Sequence, residues 1–470
     1  MKPEQTHWLD ALIRRTRPVH VSAPTSDVGS RHAAAVVDLA LRAAELAVQS
    51  GAVTSEATSV ALTICSAYGL VADVDITWTS VTISYHRLGR AEPITGFRRV
   101  RERDTNYTLL TQLMRFMDDV GTGDLPLEEA AARLDTIRRT LRPYRGWVLC
   151  LGQAAVGTGV AAILGGRPLE MVLAALANAM LYMVNRILLR TQLSVFFIQA
   201  AAAAVPTAFA IWIMNVRAGD WTVFSEVSPS LIVASGIVSL LAGIGYVAAA
   251  RDAMDGNLLT GTARAVDAIL QTSGIVVGVI VTLWVGFKLG VQGYIAPTSG
   301  YASPSLWQVL WACLIGVGVG LGFHLGPRSI PWAALLAAVG FGVYQYSLPL
   351  VGNWSAAASL GAVVVGFGGQ IITGTKRIPL IALITTGIVA MMPGSALYRG
   401  LYEAIRSIGE PLSVQAQINL GEATMIALAL AAGSTLGAQL ARPLGLPTST
   451  LYRAAVERTA RRPRRPGGAQ

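Results

Sequence analysis

Ten apolar runs, nine of them close to the length that crosses a bilayer and the ninth in order shorter, fill most of residues 147–440. They lie at 147–166, 169–188, 193–214, 230–250, 267–288, 306–325, 330–350, 355–373, 378–392 and 420–440. A membrane helix needs about 20 mostly apolar residues. Peptide groups in hydrocarbon find no water, so such runs fold as helices. This part of the chain therefore reads as an α-helical polytopic membrane protein with about ten transmembrane helices. Composition agrees: 14% of residues are charged, against about 25% in soluble domains. The charge is uneven. Residues 1–145 hold 18 of the 37 Lys+Arg and 17 of the 27 Asp+Glu, whereas the next 296 residues hold 12 and 9. A nearly neutral, soluble-looking region thus precedes the apolar body.

That first region divides into a disordered segment, 1–30, and a small α+β domain, 31–145. Residues 34–49, AAVVDLALRAAELAVQ, place Val36, Leu39, Ala43 and Leu46 on one helical face. Glu56 to Tyr68 reads as a second helix, capped by Ser55 and closed at Gly69. The β-branched and aromatic stretch DVDITWTSVTISYHR, 73–87, suggests strands with a turn near Thr79. A helix follows from Asn106 to Val120. Asp124 and Pro126 open another, with Leu127, Leu134, Ile137 and Leu141 in phase. Glu129–Arg133 and Asp135–Arg139 have the spacing of supportive i,i+4 pairs.

Several function classes find no support. Cys65, Cys150 and Cys313 are far apart, and no CxxC or Cys/His spacing suggests a disulfide or a metal. No cofactor is implied. The first apolar run begins near Trp147, too late for a signal peptide. There is no Gly-x-Ser-x-Gly elbow, so a hydrolase is unsupported. GQIITGTK, 369–376, has Gly-Thr-Lys where a P-loop needs Gly-Lys-Ser/Thr. Asp73 and Asp75 read as a solvated strand edge, with a catalytic carboxylate pair as the alternative. His20, His32 and His86 are scattered. The chain does not read as an enzyme.

Orientation follows from Lys and Arg in the short loops. With the N-terminus inside, the inner loops hold Arg186, Arg190, Arg251, Arg264, Arg328, Lys376 and Arg377. The outer connections hold Arg167, Arg217, Lys288, Arg399 and Arg406. The uncharged connection 291–305 fits an external loop. The basic tail, 442–470, carries seven Arg against one Glu. Beyond a last span it reads as a cytoplasmic anchor beside anionic lipid. No aromatic platform accompanies it, so no nucleic-acid partner is expected.

The body also repeats. At an offset of 161, Val156, Gly157, Gly159, Leu164, Gly165 and Arg167 recur as Val317, Gly318, Gly320, Leu325, Gly326 and Arg328. Gly274/Gly278 in the fifth run and Gly433/Gly437 in the tenth share a small-xxx-small pattern that lets helices approach closely. A five-span unit turns its second copy upside down. The expectation is a 5+5 inverted repeat, with five-helix halves at 146–290 and 306–441, an architecture of secondary transporters. The ninth run breaks at Pro393-Gly394, before SALYRGLYEAI. RDAMDGNLLTGTARAVDAI, 251–269, takes the matching place in the first half. A break at membrane depth must face protein or a water-filled cavity. The alternative is a plain span end and an interfacial helix with Leu397, Leu401 and Ile405 on lipid.

These pieces in this order resemble the threonine/serine exporter family. The resemblance rests on DLALRAAELAVQSGAVTSEATSVALTICSAYGL, DVDITWTSVTISY, LPLEEAAARLDTI and GNLLTGTARAVDAI in the first half, and on PGSALYRGLYEAI in the second. It covers the chain from about Ala34 to Arg442. It implies efflux of threonine and serine across the inner membrane, driven by the proton gradient. The expected partners are then the amino acid, protons and membrane lipid, with homo-oligomerisation left open. Another small polar solute, or a membrane-anchored sensor acting through the N-terminal domain, are the alternatives.

A zwitterion needs a cation or helix N-terminus for its carboxylate and an acid or free carbonyls for its ammonium. Charges near membrane depth are costly and are functional candidates. Glu170, Arg264, Asp267, Lys288, His324, Arg399, Glu403 and Glu422 lie there. The substrate-binding candidates are Arg264, Asp267, Pro393, Gly394, Ser395, Arg399 and Asn178. Arg264 and Asp267, at i,i+3, either hold the two ends of the ligand or pair with each other. Asp267 is the first choice for proton coupling and Glu422 the second. His324 suits an interfacial role. Asn178, Asn185 and Gln199 either bind the hydroxyl or bond between helices.

Overall fold

The computed structural model describes residues 29–86, 92–100, 104–122, 125–140, 142–218, 227–240, 243–289, 305–406, 411 and 413–444 of the 470. Nearly all of segment 1–30, of loop 291–305 and of tail 442–470 lies outside the described residues. So do His20, Leu141 and the side chains of Arg217, Ile405 and Arg406.

The N-terminal domain contains α1 (Ser30–Gln49), α2 (Thr54–Ala67), β1 (Ala72–Ile76), β2 (Ser80–Tyr85), β3 (Ile94–Arg99), α3 (Tyr107–Gly121) and α4 (Leu127–Arg138). The strands form one antiparallel sheet in the order β1-β2-β3, with Val74 opposite Ile83 and Ile83 opposite Gly96. The face predicted for α1 is buried, including Val36, Leu39, Ala43 and Leu46. It lies on the sheet, and a Cβ at Gly96 would meet the Leu41 side chain. Asn106 caps α3 by accepting from the Leu109 amide at 3.2 Å. Asp73 and Asp75 are exposed on β1.

Two expectations fail here. Val53, not Ser55, occupies the N-cap of α2; the Ser55 hydroxyl instead donates to Asp255 at 2.8 Å. The i,i+4 pairs on α4 give way to cross-helix ones. Arg133 pairs with Asp119 at 2.6 Å and Asp135 with Arg42 at 3.1 Å. A neighbouring helix offers a partly shielded partner, which a solvated i,i+4 contact does not.

The body is a multi-pass helical membrane structure. Its elements are α5 (Gly146–Ile163), α6 (Pro168–Leu188), α7 (Val195–Ala218), α8 (Pro229–Leu240), α9 (Gly243–Met254), α10 (Leu258–Lys288), α11 (Leu306–Gly322), α12 (Ile330–Val351), α13 (Trp354–Lys376), α14 (Leu380–Ile388), α15 (Gly394–Arg406) and α16 (Val414–Ala441). Among the described residues, eight helices are long and apolar enough to cross a membrane, with α8 and α9 counted as the single span Pro229–Met254. Leu380–Met391 and Gly394–Ala404, bent by 54°, make a ninth. The shorter apolar helix α11 fits as the tenth. Helix α10 has 31 residues, about 46 Å at 1.5 Å per residue. That exceeds a hydrocarbon core of about 30 Å, so a helix of this length tilts within the bilayer or extends beyond it.

The same contacts occur in both halves. A Cβ at Gly274 or Gly278 of α10 would collide with the carbonyl oxygen of Phe196 or Ala200 on α7. A Cβ at Gly433 or Gly437 of α16 would collide with that of Ser359 or Val363 on α13. Gly157 of α5 lies against Ala174 and Asn178 of α6; Gly316 of α11 lies against Ala333 and Ala337 of α12. Helices α5 and α11 end alike. Gly165 has φ +84° and His324 φ +55°. The Gly166 amide donates to Ala161 O, and the Leu325 amide to Gly320 O, both at 2.8 Å. Except for the α7 and α13 carbonyls, these equivalents are 159 residues apart, two fewer than the sequence matches suggest.

The stretch 251–269 is not an interrupted span. Residues 251–254 finish α9, Gly256 turns the chain at φ +92°, and Leu258 opens α10. The break at Pro393 is internal to the bundle. Leu397 and Leu401, expected on lipid in the interfacial reading, are buried with Tyr398 against Ala202, Ile237 and Ile275.

Candidate functional site

Two polar regions of the body bring the candidate residues together. The first surrounds the interrupted ninth span. Its N-terminal piece ends in a one-turn 3-10 segment, Val389–Met391, and Met392 is extended before Pro393. Proline has no amide to donate and fixes φ, so the helix stops there. Helix α15 restarts at Gly394. Gly394 lies against Val238 and the Ala234 carbonyl of α8, with no space for a Cβ. Pro393 and Gly394 are buried and Ser395 is half-buried. Arg399 follows one turn later, half-buried, with its Nε lacking a hydrogen-bond partner among the described residues.

The neighbouring face of α8 carries Ser235 and Ser239, one turn apart. Asn178 of α6 is fully buried against them. Its Nδ2 donates to Ser235 Oγ at 2.9 Å and to Ala174 O at 2.8 Å, while its Oδ1 accepts from Ser239 Oγ at 2.6 Å. The last turns of α8 are thus held between Asn178 on one flank and Gly394 on the other. Asn178 makes the inter-helix bonds that buried polar groups in membranes favour.

The second region lies between the body and the N-terminal domain. Arg264, in the second turn of α10, is buried. It pairs through Nε with the fully buried Asp252 of α9 at 2.8 Å. Its Nη2 donates to Ala52 O at 2.8 Å, and its guanidinium lies 4.6 Å from the centre of the Trp78 ring. The other Asp252 oxygen accepts from the Thr54 amide at 2.8 Å, at the N-terminus of α2. Arg251 faces Glu56 at 3.5 Å, and Arg442 faces Asp255 at 3.5 Å. Burial pushes the Glu56 carboxyl above its usual range, with Arg251 opposing. Tyr107 Oη donates to Thr385 Oγ1 of the ninth span at 3.4 Å.

Arg264 and Asp267 do not pair. Asp267 stands half-buried one turn further along α10 and accepts from Gln271 at 2.9 Å. Glu422 is half-buried on α16. Glu170 holds the structure together locally, with one oxygen accepting from the Arg167 amide and the other from the Ser228 amide, both at 2.6 Å. Asp252, Glu56, Trp78, Ser235 and Ser239 went unmarked in the sequence. Asp252 carried one signal, its place between Arg251 and Asp255 in a chain poor in charge.

A family model described as "Putative threonine/serine exporter" matches residues 38–286, and one described as "Threonine/Serine exporter, ThrE" matches residues 308–439. A protein of Mycobacterium tuberculosis named "Probable threonine/serine exporter" is 31% identical over 453 residues, covering 92% of this chain and 82% of the relative. A Corynebacterium glutamicum protein named "Threonine/serine exporter" is 30% identical over 436 residues, covering 90% and 86%. No solved structure matches the chain. With both halves and the N-terminal domain matched in order, the chain belongs to the threonine/serine exporter family.

Proposed function

We propose that this protein is a secondary-active exporter that moves threonine and serine out of the cell across the inner membrane, coupled to protons. As a member of an exporter family it is a transporter and not an enzyme. One observation carries the reading: the ninth span is interrupted inside the bundle, where Gly394 crosses α8. Backbone freed at membrane depth has to face protein or an aqueous path, and broken helices serve secondary transporters as substrate sites.

In this reading the two halves are an inverted repeat, supported by the matched glycine contacts and by the matched ends of α5 and α11. The path runs beside the break. Pro393, Gly394 and Ser395 present backbone and hydroxyl groups, and Asn178 with its serine partners offers hydroxyl recognition. Arg264 on the domain side and Arg399 beyond the break supply cations for the substrate carboxylate. Asp267 and Glu422 carry the coupled proton; they sit on α10 and α16, the two helices that share the paired glycine contact. The N-terminal domain and the basic tail lie in the cytoplasm. Arg251, Arg377 and Arg442 on the domain side support that orientation.

The test uses cells lacking their own exporters and loaded with a threonine-containing dipeptide. Expression of this protein is expected to speed the appearance of external threonine, and a protonophore to abolish the gain. Unchanged efflux from cells shown to hold the protein in the membrane contradicts the assignment.

A further inference from the structure

The N-terminal domain is fastened to both halves of the body. On the second half, the Tyr107 and Thr108 amides donate to Phe323 O and His324 O at 3.1 Å. Tyr144 Oη donates to Leu325 O at 2.8 Å, and Asp118 pairs with Arg377 at 2.9 Å. On the first half, the ties are Thr54 to Asp252, Ser55 to Asp255, Glu56 to Arg251 and Arg264 to Ala52. The domain core is continuous with Ala248 of the fourth span and Ile378, Ile381 and Leu383 of the ninth. The domain therefore covers the ends of the two spans that cross at Gly394.

Within this interface the groups around Asp252 form a carboxylate receptor. Arg264 is held in place by the Trp78 face and the Ala52 carbonyl, and the Thr54 amide points from a helix N-terminus. Arginine and helix N-termini both favour carboxylates. Asp252 fills the receptor with one oxygen on each donor. An α-amino acid carries the same carboxylate and adds an ammonium. Glu56 Oε2 is buried without a hydrogen-bond partner among the described residues, an acceptor an ammonium would satisfy.

We propose that Asp252 is a resident competitor of the substrate. An α-amino acid entering between the domain and spans four and five places its carboxylate on Arg264, in the place of Asp252. Its ammonium goes to the displaced Asp252, beside Glu56, and the Thr54 amide loses its acceptor. The exchange removes the Asp252 bridge and loosens the domain's hold on the first half. The domain is thus an inner gate that its own cargo unlatches. Linkage makes the effect reciprocal: a seated domain weakens substrate binding by the same factor that substrate weakens seating. The proposal rests on the export reading for its direction of entry.

Hydrogen exchange of the full chain in lipid nanodiscs tests it, read at the segment 52–56. L-threonine is expected to speed exchange there about tenfold, and threoninol, which lacks the carboxylate, to leave it unchanged. Asp252→Asn is expected to exchange fast without threonine. The double variant Arg264→Gln with Asp252→Asn removes both buried charges, so it keeps the fold. It is expected to show no response to threonine. Unchanged or slower exchange with threonine, in a preparation that exports threonine, overturns the latch and leaves the export reading standing. A response of the double variant equal to that of the wild type also overturns it. A preparation that exports neither threonine nor serine, yet responds to another α-amino acid, overturns the substrate assignment and keeps the latch. No transport and no response to any α-amino acid overturns both.

Discussion

Gly394 packs directly against Val238, with no room for a side chain between them. Gly394→Val forces α15 away from α8 at the point where the ninth span restarts. Overpacking of this kind costs roughly 1–3 kcal/mol. The variant is expected to melt lower and to slow threonine efflux severalfold. Gly421→Ala, at a helical position with open space around it, is expected to do neither. Thermal unfolding in detergent and efflux from dipeptide-loaded cells check the pair.

Gly278 and Gly437 hold equivalent places against Ala200 and Val363. If the halves are one architecture used twice, Gly278→Ala and Gly437→Ala should destabilise by similar amounts, about 1–3 kcal/mol each. The two sites are on different helix pairs, so the double variant should be additive within about 0.5 kcal/mol. Melting curves of the three variants give the comparison.

Glu170 holds two helix starts with one carboxylate, accepting from the Arg167 and Ser228 amides. A hydrogen bond to a charged group contributes about 1.5–3 kcal/mol. Glu170→Gln keeps one acceptor oxygen and is expected to cost about half of what Glu170→Ala costs. Loss of folded, membrane-inserted protein, measured by fluorescence-detected chromatography, should follow that order.

His324 binds the domain through its carbonyl and is buried with neither ring nitrogen hydrogen-bonded among the described residues. Burial holds its pKa below the usual value, reinforced by Arg142 and opposed by Asp104 and the Gly322 backbone. The released state then takes up a proton more readily than the seated one. Seating is unaffected well above pH 6.5 and weakens as pH falls through that value. Asparagine tolerates the left-handed backbone at this position, so His324→Asn is expected to remove this part of the pH dependence while keeping the fold. Exchange of the Thr108 amide between pH 7.5 and 5.5 reports it. Glu56, raised by burial, works the other way, favouring the seated state as it is protonated, so the variant must be compared with wild type.

The spans were legible because hydrocarbon admits so few solutions. The helices of the N-terminal domain were legible from their periodic apolar faces. Strand β3 was not: ITGFRR is short, has two arginines, and owes its place to the fit of Gly96 under Leu41. Counting identities gave an offset of 161, where the backbone matches Gly165 to His324. A shared left-handed conformation leaves no shared side chain to count. The partner of Arg264 was hidden for a related reason. Spacing along one helix suggested Asp267, but a turn brings Asp252 back from α9, and the fold adds Ala52 from far upstream. The choice at Pro393 turned on burial of Leu397 and Leu401, which amphipathic spacing alone could not reveal.

Transport of threonine and serine through this bundle can be tested with nothing but purified protein in sealed liposomes. Labelled threonine is supplied outside, and an outward proton gradient or its absence is imposed. Gradient-dependent accumulation is expected, suppressed by unlabelled serine and reduced in Gly394→Val. Accumulation equal to that of protein-free liposomes, with the protein shown to be folded in the bilayer, would contradict transport of these amino acids by this chain.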